Sequence, residues 1–307
     1  MTGAGADRMS YMAISETNLK SLPLVGRGKV RDNYAVGSDR LLMVATDSIS
    51  AFDVVMPNPV PQKGTILTKI SAHWFRYLEH IVPNHLISLD TTGLVADEEV
   101  CLIEGRSMLV RRCTPLPMES VVRGYLAGSA WSEYSSEGTI CGTKMPTNLR
   151  MASRLPSPMF TPTTKAPAGS HDQSMDFRAL QELLGAERAE RIRDLSIELY
   201  ERAAAYALTR GVIIADTKFE FGLDADGRLL LIDEALTPDS SRYWPLDQYC
   251  EGVNPPSFDK QPLREWLSTV KVNGRPWDKM PPAPVLPMSL IETLRAGYEN
   301  ILNHLIQ

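Results

Sequence analysis

The stretch that decides the fold, residues 212–242, reads VIIADTKFEFGLDADGRLLLIDEALTPDSSR. Its first half alternates apolar side chains with the polar Asp216, Lys218 and Glu220, which is typical of a β-strand with two different faces. Asp226-Gly227 then gives a strong hairpin-turn signal, and residues 228–236 fit the returning strand. The stretch therefore predicts an antiparallel hairpin with a row of charged side chains on one face.

The register of this hairpin decides what the charged row can do. A two-residue turn at Asp226-Gly227 places Glu220 opposite Asp233, whereas an odd register places Glu220 opposite Ile232 or Glu234. We expect the first arrangement, because it leaves Ile232 on the apolar face. Two facing carboxylates repel each other unless a cation lies between them, and Mg²⁺ binds carboxylate and phosphate oxygens. A solvated charged face would fit the same alternation, so the hairpin alone leaves both interpretations open.

Length and composition restrict the class of protein. The chain has 307 residues, 43% of them hydrophobic and 22% charged, which favours a globular protein with two lobes. Its net charge of −5 argues against nucleic acid as a partner. We find no signal-peptide pattern, no apolar run of membrane-spanning length and no metal-like spacing among the four cysteines. We expect a cytoplasmic protein that binds small molecules, without a membrane partner, and favour a monomer.

The first lobe begins with three predicted strands in residues 22–56. The first turn contains two glycines, Gly26 and Gly28, and two positively charged residues, Lys29 and Arg31. Such a turn could close its backbone over phosphates with two cations nearby, although an ordinary basic hairpin explains the same residues. The next segment, DSISAFD at residues 47–53, predicts either a turn or a binding loop.

The boundary between the lobes is predicted at residue 115. A strand over residues 107–113 is followed by Pro115 and Pro117, and a proline-punctuated connection after a strand is typical of a hinge. We therefore divide the chain into an N-terminal lobe, residues 1–115, and a C-terminal lobe, residues 116–307.

The second lobe opens with a candidate anion site. A predicted strand over residues 120–126 precedes a helix that begins at Gly128-Ser129, and Arg123 lies close in sequence. The N-terminus of a serine-capped helix can bind anions. A capped helix beside a surface arginine is the alternative.

The rest of the second lobe is largely helical. Helices are predicted over residues 177–210, 259–270 and 289–306, the last with Ser289 and Glu292 at capping-box spacing. Strands followed by segregated helices favour an α+β fold over a parallel α/β sheet. Before these helices, residues 145–175 form a Pro-, Ser- and Thr-rich loop, which is either disordered or functional. The loop contains three candidate functional residues: Lys165, His171 and Asp172.

Several motifs occur together in one order: GKVRDNY, DSISAFD, VVRGYLAGSAWSEY, FTPTTKA followed by HD, and IIADTKFEFG with LIDEALTPDSSRYW. Their joint occurrence resembles the phosphoribosylaminoimidazole-succinocarboxamide synthases, or SAICAR synthetases, and especially their longer, fungal-type members. The resemblance implies an ATP-dependent amide ligase of purine biosynthesis. Such an enzyme joins L-aspartate to the carboxylate of carboxyaminoimidazole ribonucleotide (CAIR) through an acyl phosphate, with Mg²⁺. It also implies two antiparallel lobes, the first kinase-like and the second ATP-grasp-like, with the nucleotide in the cleft between them.

The resemblance also assigns roles to residues at the nucleotide end of the site. Gly28, Lys29 and Arg31 would cover the ATP phosphates. The strand at Val110 to Arg112 would offer its backbone to adenine, with Glu119 near the ribose. Glu220 and Asp233 would hold Mg²⁺, and Lys218 would lie near the phosphates. Lys29 and Lys218 are thereby the candidate catalytic residues.

A second set of residues is assigned to the substrates. Arg123, Ser129 and Arg242 would bind the substrate nucleotide, with Asp239 in the same loop as Arg242. Asp53, Lys165, His171 and Asp172 match family positions, and we place them among the substrate-binding residues without separate roles.

Two other functions are alternatives to the ligase. A kinase-like phosphotransferase would need HRD- and DFG-type motifs, and the sequence contains neither. A nucleotide-binding protein without catalysis would be expected to lack a metal carboxylate or the phosphate lysine, yet Glu220, Asp233 and Lys29 are all present. Both alternatives therefore fit less well than the ligase.

Overall fold

The computed structural model describes residues 13–165 and 173–307. The strands are β1 (Leu24–Arg27), β2 (Arg31–Val36), β3 (Arg40–Ala45), β4 (Ser50–Ala51), β5 (Val54–Val55), β6 (Leu86–Ser88), β7 (Ser107–Arg111), β8 (Thr114–Pro115), β9 (Met118–Tyr125), β10 (Thr139–Ile140), β11 (Thr143–Lys144), β12 (Arg154–Phe160), β13 (Thr163–Thr164), β14 (Val212–Leu223), β15 (Leu229–Ile232), β16 (Ser241–Pro245), β17 (Lys271–Val272) and β18 (Arg275–Pro276). The helices are α1 (Lys63–Leu78), α2 (Val100–Ile103), α3 (Gly128–Glu137), α4 (Phe177–Leu184), α5 (Ala186–Thr209), α6 (Gln261–Thr269) and α7 (Met288–Ile306), with 3-10 turns at Asp97–Glu99 and Leu246–Gln248. This mixture of helices and antiparallel sheets confirms the predicted α+β class.

The first sheet has the strand order β1-β2-β3-β7-β6, and its pairings are antiparallel. Alternate side chains of β3 point to opposite faces. Leu42 and Val44 pack with Tyr34 in a small cluster on one face, whereas Met43 belongs to the main core, to which α1 contributes Ile70. The sheet is therefore covered on both faces, and the predicted strands of the first lobe are confirmed.

The second sheet is organised around β14. Its path is β12-β9-β14-β15, with β13 beside β9 and with β8 and β16 beside β14. Helix α5 packs across it, and the Tyr200 hydroxyl donates a 2.7 Å hydrogen bond to the Ile214 carbonyl. Gly124 makes this approach possible, because a Cβ at that position would lie 1.9 Å from the Tyr200 hydroxyl oxygen.

The hairpin β14–β15 forms, but the predicted register is wrong. Glu220 pairs with Ile232 and not with Asp233. The Asp224 amide donates to the Arg228 carbonyl, and the Gly227 amide donates to the Asp224 carbonyl, 3.0 Å in each case. The loop therefore has three residues, with Gly227 at φ +76°. Strand β15 ends at Ile232, and Asp233 adopts a left-handed φ of +64°.

The two sheets are joined at two places. Strand β7 ends at Arg111 in the first sheet, and β8 pairs with Gly222 and Leu223 in the second. Nearby, the Leu231 amide donates to the Pro83 carbonyl at 2.9 Å, and the His85 amide donates to the Leu231 carbonyl at 3.0 Å. The chain passes between sheets at residues 112–113, and the lobe boundary at residue 115 stays a prediction.

Three local predictions are corrected by the structure. Helix α3 has Ala127 at its N-cap, so Ser129 is not a capping residue, and α7 has Pro287 at its N-cap in place of Ser289. The supposed loop of residues 145–175 contains β12 and β13, which pair with β9. Among the described residues, no helix is both long and apolar enough to cross a membrane.

Candidate active site

The charged row on β14 is largely withdrawn from solvent. Asp216 is 5% exposed and Glu220 is 8% exposed, and the Lys218 side chain between them is 29% exposed. Carboxylates this deeply buried need compensating partners. The solvated-face interpretation of the hairpin is therefore wrong, and the partners of these three residues define the site.

Lys218 is the centre of a lysine cluster formed by Glu119, Lys165, Lys218 and Glu220. Its ammonium lies 2.6 Å from Glu119 Oε1 and 2.9 Å from Glu220 Oε1, and Lys165 pairs with the other Glu220 oxygen. Burial alone would lower the pKa of Lys218, but Glu220 and Glu119 raise it well above its ordinary value. Lys218 is therefore a fixed positive charge.

Arg31 bridges from the first sheet to the residues that follow β15. Its Nη1 lies 2.5 Å from Asp233 Oδ1, and its Nη2 lies 2.5 Å from Glu234 Oε2. Burial would raise the pKa of Asp233, but Arg31 and Lys218 outweigh it and lower the pKa to about 2. Asp233 is therefore an ionised acceptor held by a cation from the other sheet.

Glu220 and Asp233 face the same cations although they are not cross-strand partners. Lys218 and Lys165 contact Glu220, and the same two lysines help to lower the pKa of Asp233. The two carboxylates thus interact with the same two lysines although the register separates them. Within the described ranges, however, no three His, Cys, Asp or Glu side chains form a metal-binding group.

The turn between β1 and β2 carries the predicted phosphate loop. The Gly28 amide donates to the Arg31 carbonyl at 2.7 Å. Lys29 is ion-paired with Asp53, and both side chains are partly exposed, at 47% and 38%. Lys29 therefore presents its charge at the surface of the turn, whereas the neighbouring Arg31 is buried.

A second group, the arginine pair, consists of Arg123 and Arg242 on either side of Asp216. Strand pairing places Asp216 opposite Arg123 on β9 and opposite Arg242 on β16. Arg123 lies 3.3 Å from Asp216 Oδ2 and also donates to Ser129 Oγ at 3.2 Å and Thr161 Oγ1 at 3.0 Å. Arg242 contacts the same Asp216 oxygen.

Arg242 of the arginine pair borders a cavity of about 250 Å³. Gly128 lies against Arg242, and a Cβ there would be 2.2 Å from Arg242 Nη2. Trp131 and Trp244 line the same cavity. Aromatic walls and a guanidinium suit a ligand that combines a ring with an anionic group.

Asp239 lies beneath the site and not on its surface. Its side chain is 2% exposed and lies 2.7 Å from Lys63 Nζ and 3.1 Å from Lys260 Nζ. The Tyr298 hydroxyl donates to its other oxygen at 2.5 Å. Burial would raise the pKa of Asp239, but Lys260 and Lys63 lower it. Asp239 therefore anchors the loop that leads to Arg242.

The structure describes some of the remaining candidate residues and not others. Val110 is paired within the first sheet with Leu41 and Leu86, and Arg112 begins the passage to the second sheet. The Arg112 amide donates to the Asp39 carbonyl at 2.8 Å. His171 and Asp172 lie outside the described residues.

Sequence reasoning missed Asp216 and the partners of Asp239. Asp216 belonged to the recognised alternation with Lys218 and Glu220, which was the available signal, but its arginine partners come from two other strands. Lys63, Lys260 and Tyr298 come from three separate helical segments, and no spacing in the sequence connects them.

Comparison with known proteins gives one consistent family. A model of the SAICAR synthetase family matches residues 24–281. The phosphoribosylaminoimidazole-succinocarboxamide synthase of Methylibium petroleiphilum is 57% identical over 290 residues, which cover 94% of this chain and 97% of that protein. The synthase of Bordetella pertussis is 52% identical over 294 residues, with coverages of 96% and 99%.

Solved structures agree with this result. The SAICAR synthase of Saccharomyces cerevisiae, complexed with SAICAR, has a TM-score of 0.84 and 40% identity, covering 95% of this chain and 98% of that one. A SAICAR synthetase in complex with ADP shares the fold, with a TM-score of 0.66 and 23% identity over 92% and 97% of the two chains. The yeast match agrees with the expected likeness to the fungal type. Since the family model spans most of the chain and its relatives share over half of its residues, the chain belongs to the SAICAR synthetase family, which comprises ligases of purine biosynthesis.

Proposed function

We propose that the chain joins L-aspartate to the carboxylate of CAIR at the expense of ATP, producing SAICAR, ADP and phosphate. One observation carries the assignment of residues: a single face of β14 holds the arginine pair at Asp216 and the lysine cluster at Glu220. Four strand residues span roughly 13 Å. This separation can accommodate two phosphate-bearing ligands whose reacting groups meet between the clusters.

The arginine pair is proposed to bind the nucleotide substrate. A guanidinium contacts phosphate or carboxylate oxygens through two parallel N–H donors, and Asp216 fixes the orientation of both guanidiniums. Ser129 and Thr161 further restrain Arg123. Substrate would therefore meet groups that are already oriented, which reduces the entropy lost on binding.

The lysine cluster and Lys29 are proposed to act on the ATP phosphates. A carboxylate is a poor electrophile, so its oxygen first takes the γ-phosphoryl group and ADP leaves. The aspartate amine then attacks the acyl carbon, and phosphate leaves as the amine loses a proton. Charge on the transferring group must be neutralised throughout, which suits the permanently charged Lys218 and the exposed Lys29.

Glu220 and Asp233 are the residues that would hold Mg²⁺. Their hard carboxylate oxygens fit this ion, which commonly binds one or two carboxylates together with phosphates. Bound there, Mg²⁺ would withdraw charge from the phosphate oxygens. Because the described residues offer no third acidic or histidine ligand, we expect the ion to bind with the nucleotide and only weakly without it. Asp53 and Glu119 would orient Lys29 and Lys218.

The test is ADP release by purified protein with ATP, Mg²⁺ and CAIR, compared with and without L-aspartate. We expect sustained release only with aspartate, together with formation of SAICAR. Lys218→Met should abolish it, whereas Arg178→Gln, which alters a cation 87% exposed on α4, should not. ADP release that is indifferent to aspartate would instead indicate a phosphotransferase. A cytoplasmic, monomeric enzyme stays a prediction from the sequence.

A further inference from the structure

Residues 270–287, which we term the C-terminal strap, connect α6 to α7 and include the small β17–β18 hairpin. Trp277 is 7% exposed, and its indole Nε1 donates to the Met280 carbonyl at 2.9 Å. At the far end, the Leu286 amide donates to the Asn58 side chain at 2.9 Å. The strap is thus fixed against the segment that follows β5.

The turn between β4 and β5 has an unusual backbone. Ser50 pairs with Val55 and Ala51 with Val54, so Phe52 and Asp53 form a two-residue turn. Both residues have positive φ, +52° and +63°. A turn with two positive φ values normally carries Asn-Gly or Asp-Gly, and a phenylalanine in this region is an outlier that surrounding structure must hold in place.

The strap packs against this turn through Trp277 and Lys279. The Phe52 and Trp277 rings meet edge-to-face with centroids 6.5 Å apart, and the Lys279 ammonium lies 4.6 Å from the centre of the Phe52 ring. On the other side of the turn, Asp53 pairs with Lys29. That ion pair is open to solvent and contributes little to stability, whereas the strap packs two side chains against Phe52 itself.

We propose that Trp277 and Lys279 are positioning residues of the active site, which hold the Phe52-Asp53 turn so that Asp53 orients Lys29. The inference rests on the proposed function in one respect, the assignment of Lys29 to the ATP phosphates. The strap would therefore act on the nucleotide end of the site without touching the nucleotide. Removing its contacts should release the turn and leave the fold intact.

The test compares Lys279→Met and Trp277→Leu with Lys271→Met, which removes an exposed strap lysine of the same charge outside the Phe52 contact. The Met56 amide, which donates to Ile49 across the hairpin at 2.8 Å, reports turn opening by hydrogen exchange. We expect about three- to tenfold faster exchange and a similar rise in KM for ATP, with kcat less affected, in the first two variants only.

A rescue experiment separates a positioning role of the strap from a general stabilising role. Asn tolerates positive φ far better than Phe, so Phe52→Asn should form the turn without the strap. Adding Phe52→Asn to Trp277→Leu should restore slow exchange at Met56 and the parental KM for ATP. Unchanged exchange in the strap variants, or losses that Phe52→Asn does not repair, would overturn the inference. If the parent protein shows no ligase activity, the proposed function fails, while the exchange measurements still decide whether the strap holds the turn.

Discussion

Asp216 accepts contacts from two arginines through a single carboxylate oxygen, Oδ2. Arg123 and Arg242 would repel each other without it, since both are largely buried. The contact also fixes the orientation of the two guanidinium planes relative to β14. A residue that looks like one more charge in an alternating strand therefore organises the proposed substrate end of the site.

We expect substrate binding to be impaired even by a conservative substitution of Arg242. Arg242→Lys keeps the charge but loses the planar fork, so it cannot hold Asp216 and a substrate anion together. KM for CAIR should rise about tenfold or more, while KM for ATP stays near the parental value. Steady-state kinetics with each substrate varied in turn measures both.

Arg178→Lys on the exposed face of α4 is the matched control and should change neither constant. Parental kinetics for CAIR in Arg242→Lys would remove Arg242 from the substrate site.

The paired carboxylates provide a second residue-scale prediction. Glu220→Gln and Asp233→Asn should each lower kcat by about 100-fold or more, because each removes a charge that would hold the same ion. The double variant should be little worse than the worse single variant, as for residues that act as a unit. A double-mutant cycle on kcat tests this, with thermal unfolding as the check on folding. Fully additive losses would mean that the two residues act separately.

Among the elements, the β14–β15 hairpin shows what sequence can and cannot predict. Alternating polarity and Asp-Gly identified both strands and the turn. The loop length depended on Asp224, whose side chain accepts hydrogen bonds from the amides of Asp226 and Arg228 at 3.0 and 2.9 Å. Hydrogen bonds from a side chain to the turn that follows it are not visible in the alternation of polar and apolar residues, and that alternation favoured the wrong register because it kept Ile232 on the apolar face.

The same limit applies to the site. Lys218, Glu220 and Arg242 were identified as candidates from motifs, because a motif specifies residue types in a fixed order along the chain. Contacts such as Asp216 with Arg123, or Asp239 with Lys63, depend on which strands and helices become neighbours. Sequence alone therefore identified candidate residues but did not predict which of them contact one another.

Asp224 yields a prediction for the hairpin as an element. Asp224→Ala removes acceptors for two amides of the turn and should lower Tm by about 2–5 °C. Asp226→Ala is the matched control, since its carboxylate is 71% exposed and pairs only with Arg228 among the contacts described here. Equal melting temperatures for the two variants would show that Asp224 does not determine the turn.

For the molecule as a whole, His85 lies where the two sheets meet. Its backbone bonds to Leu231 and Arg111, and its ring packs against Phe75 with centroids 5.3 Å apart. Burial is the main cause that lowers the pKa of His85 from 6.5 to about 4. The folded protein thus keeps His85 neutral at pH values where the unfolded chain would protonate it.

This shift predicts a loss of stability in mild acid. Because the unfolded state binds the proton more tightly, stability from His85 is complete above pH 6.5 and falls as the pH drops towards 4, by about 3 kcal/mol in total. His85→Gln cannot titrate. Between pH 7.5 and pH 5, the parent should therefore lose about 2 kcal/mol more unfolding free energy than the variant.

Denaturant unfolding at both pH values measures the difference, and the exposed His80→Gln is the matched control. Parallel losses in the parent and in His85→Gln would show that protonation of His85 does not weaken the junction between the sheets.

The ion pairs at the two ends of the site differ in their balance of charges. Among the described residues, the ion pairs around the arginine pair join five cations to three carboxylates: Lys63, Arg123, Arg242, Lys260 and Arg264 with Asp216, Asp239 and Asp259. Those around the lysine cluster join four cations to five carboxylates: Lys29, Arg31, Lys165 and Lys218 with Asp53, Glu119, Glu220, Asp233 and Glu234. Under the proposed function, we therefore expect a bare polyanion to be attracted more strongly to the first end. A nucleotide whose charge is partly cancelled by a divalent ion would suit the second end, so charge would begin to separate two phosphate-bearing molecules before either makes contact.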